Sequence, residues 1–160
     1  MGSIDNLHQL RKEETTAVLH HQDEVILLTF WATWCGPSQK PMAENQEMLE
    51  KHMRSGDWDG VRFVGICLDK EAMPQTLVKR VDQRHWTSME HYWTTDDSLA
   101  KVFGFEITPH CVLVDKTGTI VWQGHPATRR IEEDVSALLE GEEIDLKRED
   151  SSEEADAATF

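Results

Sequence analysis

The 160-residue chain is short of cysteine, of cations and of long apolar runs, and each shortage narrows what it can do. Cys35, Cys67 and Cys111 are too few, and odd in number, for a disulfide framework, which fits a reducing compartment and leads us to expect a cytoplasmic protein. No stretch nears the ~20 apolar residues of a membrane span, and no arginine-rich or apolar leader follows Met1, so a soluble chain with no membrane partner is expected. Met1-Gly2-Ser3 reads as a cloning remnant. Lysine and arginine total 16 against 30 acidic residues, for a net charge of −14, a field that repels phosphate and excludes nucleic acid as a partner. The histidines lack ligand spacing, His20 and His21 being adjacent, and no Cys-x-x-Cys pair occurs; neither a metal nor a cofactor is expected. No internal repeat is evident.

What is present is a chain long enough for one domain with a proper core. Its charge is uneven. From Glu140 to Phe160 nine acidic residues face only Lys147 and Arg148, so half the net charge sits in the last 21 residues. We therefore divide the chain into a polar, partly helical lead-in (1–16), a globular domain (17–140) and an acidic, disordered tail (141–160).

Val25 to Trp31 is a continuous apolar run of strand length, the pattern of a strand covered on both faces, and Val61 to Leu68 is a second. Gln39 to Arg54 carries Met42, Leu49 and Met53 on one helical face, with Pro41 expected to bend the helix near its start. Pro74 opens a helix with Leu77, Val78 and Val81 inward, Glu90 to Trp93 is a short strand, and a further helix through Val102 and Phe103 stops at Gly104. Cys111 to Val114 and Thr119 to Trp122 flank a hairpin turn at Asp115-Lys116-Thr117-Gly118. Thr128 is expected to cap a last helix with Ile131, Val135, Leu138 and Leu139 on its apolar stripe. Strands alternating with helices, then a hairpin and a helix, predict an α/β sandwich with a mixed central sheet.

The pentapeptide Trp34-Cys35-Gly36-Pro37-Ser38 stands between the first buried strand and the helix after it. A cysteine at a helix start faces unpaired N–H groups and the positive end of the macrodipole, which favour a sulfur anion, the nucleophile of disulfide exchange. The alternative for Cys35 is an inert small hydrophobe. Cys67 reads as core, and Cys111 as a buried strand residue rather than a resolving thiol.

Phe30-Trp31-Ala32-Thr33-Trp34-Cys35-Gly36-Pro37 resembles the active-site stretch of the thioredoxin family, and Ile107-Thr108-Pro109-His110 resembles its cis-proline loop. The resemblance covers about Ala17 to Leu139. The added stretch from Pro74 to Trp93, an extra helix and strand before the cis-proline loop, is more similar to the longer tryparedoxin, nucleoredoxin and TlpA-type members. It implies a thioredoxin-like three-layer sandwich. Within it, Cys35 would be the attacking thiolate, with Trp34, Gly36, Pro37, Thr108 and Pro109 lining the place where an extended substrate segment binds. The implied partners are disulfide-containing proteins or glutathione, together with a reductase or other thiol donor.

This chain departs from the family's pattern at three positions. Ser38 replaces the resolving cysteine; it cannot form a disulfide but can hydrogen-bond the Cys35 thiolate. Thr29 stands where thioredoxins carry a buried aspartate, and the helix proline, Pro41, falls two residues early. Three readings stay open. The chain is a monothiol oxidoreductase, or a dithiol enzyme in which Ser38 was substituted for cysteine, or a redox-inactive binding and scaffold module.

Overall fold

The computed structural model describes residues 7–9, 23–33, 35–68, 74–94, 98–146 and 158–159, with 7–9, 74–76, 98–99 and 158–159 described by backbone alone. The strands are β1 (Leu7–Gln9), β2 (Val25–Trp31), β3 (Val61–Cys67), β4 (Glu90–Trp93), β5 (Ile107–Thr108), β6 (His110–Val114), β7 (Ile120–Gly124) and β8 (Ala158–Thr159). The helices are α1 (Gln39–Ser55), α2 (Pro74–Arg84), α3 (Ser98–Phe103) and α4 (Ile131–Leu139), with 3-10 turns at Gly36–Ser38 and Pro126–Thr128.

The main sheet runs β1-β4-β3-β2-β6-β7. β1, β4, β3 and β2 are parallel neighbours, while β6 is antiparallel to both β2 and β7. β2 lies inside this sheet and every one of its residues is buried, as its unbroken apolar pattern requires. Its alternating side chains feed two cores. Val25, Leu27 and Trp31 join Met42 and Leu49 of α1, Leu77 and Val81 of α2, and Ile131, Val135 and Leu138 of α4. Ile26, Leu28 and Phe30 face the other way, toward Val64, Ile66, Val112, Ala100 of α3 and Phe105. Helices therefore cover both faces of a mixed sheet, and the expected sandwich is present, including the additional α2 and β4.

Some expectations fail locally. Met53 points to solvent, 66% exposed, and His52 takes the inward position at the end of α1. The reason is a polar socket: His52 Nδ1 and Nε2 each lie 2.7 Å from a carboxylate oxygen, of Asp57 and Glu132, and its ring stacks on Trp58 at 3.8 Å. Thr128 does not cap α4. It closes a 3-10 turn with its hydroxyl donated to the His125 carbonyl, and α4 begins three residues later at Ile131. The register of that helix is fixed instead by Arg129, whose guanidinium makes paired 2.8 and 2.9 Å bonds to the Asp134 carboxylate. The expected capping by Thr95 or Asp96 before α3 lies outside the described residues.

Two short strands come from the stretches read as lead-in and tail. β1 extends the sheet beside β4. β8 pairs antiparallel with β5, Ile107 opposite Thr159 and Thr108 opposite Ala158. Past Gly141, Ile144 also packs against the core, and the Asp145 carbonyl accepts a 2.8 Å bond from Arg129.

Candidate active site

β2 delivers the chain to its C-terminal end, where the Cys35 N–H bonds the Ala32 carbonyl at 3.2 Å and closes a turn. Cys35 then leads the 3-10 turn Gly36–Ser38 in an extended conformation, and the chain enters α1 at Gln39. Pro37 occupies an early position of the 3-10 turn, and Pro41 falls in the first turn of α1, where a missing N–H costs no intrahelical bond. Gln39 secures the turn from the helix side. Its amide nitrogen donates to the carbonyls of Ala32 and Cys35, both at 3.4 Å, while its oxygen accepts from Arg80.

Across from this turn the Thr108-Pro109 peptide bond is cis, as the loop's resemblance implied. Both residues are buried, and the Cys35 thiol donates to the Thr108 carbonyl at 3.6 Å. Cys35 and the Thr108-Pro109 loop, 73 residues apart in sequence, are thus brought into contact. Gly36 is exposed beside them, and a methyl group built on it would touch nothing within 4 Å, so the turn itself is open at Gly36. Pro37 is half-buried. Trp34 lies outside the described residues.

Ser38 follows one turn behind the sulfur. Its hydroxyl is buried and has no hydrogen-bond partner among the described residues. Cys35 itself is 1% exposed.

Thr29, at the strand position of interest, belongs to a neutral network. Asn45 of α1 donates to the Thr29 hydroxyl at 2.9 Å, and Cys111 lies 3.4 Å away on the partner strand. Burial pushes the Cys111 thiol up to about 12, against a smaller opposing effect of the Thr29 bond, so this sulfur stays protonated and inert. Cys67 is buried in β3, and none of the three cysteines forms a disulfide. His110, beside Pro109, stacks on Phe105 at 4.2 Å and meets Gln123 at 2.9 Å; burial holds its pKa below the ordinary range.

Gln39 and Asn45 are the site-supporting residues that sequence reasoning passed over. Asn45 stands three residues from Met42 on the buried face of α1, a polar residue at a core position, and that spacing is the signal that could have found it. Among the described residues no group of three or more His, Cys, Asp or Glu side chains could hold a metal ion, and no helix is long and apolar enough to cross a membrane.

The fold that carries this cysteine and this cis-proline loop is shared with known proteins. The family model described as thioredoxin-like fits residues 23–120. The chain belongs to the thioredoxin-like family. It is 24% identical over 111 residues to the thiol-disulfide oxidoreductase ResA of Bacillus thuringiensis subsp. konkukian, a match spanning 68% of this chain and 60% of that protein. Among solved structures, an uncharacterized conserved protein from Geobacillus kaustophilus superposes with a TM-score of 0.66 at 20% identity, over 87% of this chain and 77% of that one. StoA from Bacillus subtilis gives 0.52 at 20% identity, over 65% and 75%. The thioredoxin-like fold of this chain is thereby shown.

Proposed function

We propose that this thioredoxin-like chain performs thiol-disulfide exchange with Cys35 as its single attacking sulfur. The observation that carries the reading is the contact of Cys35 with the Thr108-Pro109 loop, in a site where Ser38 stands and the other two cysteines are buried in strands. The Cys35 thiol loses its proton to solvent. Its sulfur then attacks one sulfur of a substrate disulfide, forming a mixed disulfide and expelling the other as a thiolate, which takes up a proton. An outside thiolate of the glutathione class next attacks the Cys35 sulfur and expels the substrate as its second thiolate, and a second outside thiolate attacks the resulting Cys35 adduct and releases Cys35; the two outside thiols leave joined as a disulfide, and the substrate disulfide is reduced to two thiols. A reducing compartment supplies such thiols. Ser38, whose buried hydroxyl has unspent donor capacity, steadies the sulfur anion. Kinship with ResA supports protein disulfides as the substrate class.

One observation favours a second reading, a binding module without turnover: Cys35 is almost wholly covered. Incubation with oxidised glutathione and with a disulfide-bearing peptide, followed by mass spectrometry, separates the two. Exchange predicts one adduct per chain at Cys35, none in Cys35→Ser, and no catalytic turnover until an outside thiol is added. Ser38→Cys is expected to release the captured partner without that thiol. If no adduct forms at Cys35 while peptides still bind, the binding reading stands.

A further inference from the structure

Edge strands recruit extended segments because their N–H and C=O groups lack partners. β5 lies immediately before the cis-proline, and in this structure the segment Ala158–Thr159 is paired with it. Thr108 is the junction. It precedes Pro109, its carbonyl accepts from the Cys35 thiol at 3.6 Å, and it lies opposite Ala158 in the β5–β8 register. A second, independent observation points the same way: Cys35 is 1% exposed although the space over the adjoining Gly36 is open.

The composition of that segment suits an occupant that is not consumed. The paired residues Ala158 and Thr159 include neither a proline to prevent pairing nor a cysteine, so they occupy the docking edge without presenting a sulfur to Cys35. Eleven residues lie between Leu146, the last described residue before the tail, and Ala158, and a chain of that length spans up to roughly 40 Å.

We infer that the C-terminal segment at Ala158–Thr159 is an intramolecular occupant of the peptide-docking edge of β5, covering Cys35 until an extended, disulfide-bearing segment displaces it. This rests on the exchange reading for its meaning, but the docking is testable without it. The displacing partner must be extended and able to pair antiparallel to Ile107–Thr108. A helical substrate segment would not compete.

The docking is tested in the full chain carrying Ile107→Cys and Thr159→Cys with Cys35→Ser. Opposed positions of an antiparallel pair hold their Cβ atoms about 4.5–5.5 Å apart, close to what a disulfide bridges. Ile107 is 47% exposed and accessible to an oxidant. Mild oxidation with diamide should give an intrachain 107–159 link in monomeric protein, mapped by peptide mass spectrometry. A linked dimer, or no 107–159 link, overturns the inference. The covering of the thiol is tested with Ala158→Pro in the otherwise unchanged chain, which removes an N–H and disfavours pairing. Alkylation of Cys35 by iodoacetamide should become about tenfold faster, the scale of one or two lost hydrogen bonds; equal rates overturn the gate. If the link forms and the alkylation rates differ, yet neither chain captures a disulfide, the exchange reading fails and the docking survives.

Discussion

At the C-terminal end of α1, His52 sets each ring nitrogen 2.7 Å from a carboxylate oxygen and stacks its face on Trp58, whereas at the N-terminal end Ser38 is buried with no partner for its hydroxyl among the described residues. Both side chains are buried polar groups, one near the end of the helix and one capping its start. A buried hydroxyl left unpaired costs on the order of 1–3 kcal/mol, and native folds leave few of them. The far end spends its polar groups on stability: Lys51 and His52 both bond Glu132, which joins α1 to α4, and these bonds hold the Glu132 carboxyl below its usual range. At the near end the hydroxyl has no such use among the described residues, three positions after the cysteine proposed to attack. Local rules broken at one end and obeyed at the other are the pattern expected of a reacting site on a structural scaffold.

Two substitutions at the stable end test whether the ends are independent. Arg129→Ala leaves the Asp134 carboxylate buried without its paired bonds, and should cost about 3–5 kcal/mol in urea unfolding, the largest effect we predict. His52→Ala removes the ring stacked on Trp58 and both its bonds, with an expected loss of about 2 kcal/mol. Under native conditions both variants should capture disulfides at Cys35 at the unaltered rate. A fall in capture that tracks the loss of stability would mean the two ends are coupled, and the comparison would break.

The same contrast explains what was legible in the sequence. The β2 run and the hairpin turn at Asp115 to Gly118 announce themselves by local pattern, and the Pro109 loop by its resemblance to the thioredoxin family; the structure has the β2 strand, the turn and the cis Thr108-Pro109 bond in place. His52 and Asn45 were not legible because a polar residue on a helix's buried face is meaningful only once its partners are known, and those lie at Glu132 and Thr29. The hydrophobic spacing that favoured Met53 was overridden by this polar socket. Nor does an acidic, apolar-poor segment show from composition that two of its residues pair with β5, because pairing through backbone groups is nearly blind to side chains.

A third test uses pH and a residue outside both ends. His91 is buried, donates Nε2–H to the Trp86 carbonyl at 2.6 Å and has no partner for Nδ1 among the described residues. Burial, outweighing that bond, holds its pKa below the ordinary value. The unfolded chain takes up this proton near pH ~6.5. As the pH falls through that value the unfolded state binds more protons than the folded one, so stability drops, by up to about 1.4 kcal/mol per pH unit, until the folded His91 also titrates. His110, likewise held below its ordinary value by burial, adds a loss of the same sign. Urea unfolding from pH 7 to pH 5 should show this slope, and His91→Gln should flatten it. The rate of mixed-disulfide formation at pH 7 should not change, since His91 touches neither end of α1.

The smallest stability effect is the most discriminating. Ser38→Ala exchanges a buried hydroxyl without a partner among the described residues for a methyl group, so the folded state loses no hydrogen bond to those residues and regains the desolvation penalty. Unfolding should be unchanged or shifted by up to about 1 kcal/mol toward greater stability. Chemistry should move the other way. If the hydroxyl donates to the sulfur anion as it attacks, its removal should slow adduct formation at Cys35 by about tenfold, the scale of one hydrogen bond to a charged group. Packing alone cannot produce that opposition, because a residue that only fills space would leave capture as fast as before or alter it together with stability. A Ser38→Ala chain that is no less stable and no slower would reduce Ser38 to filler and erase the functional side of the comparison.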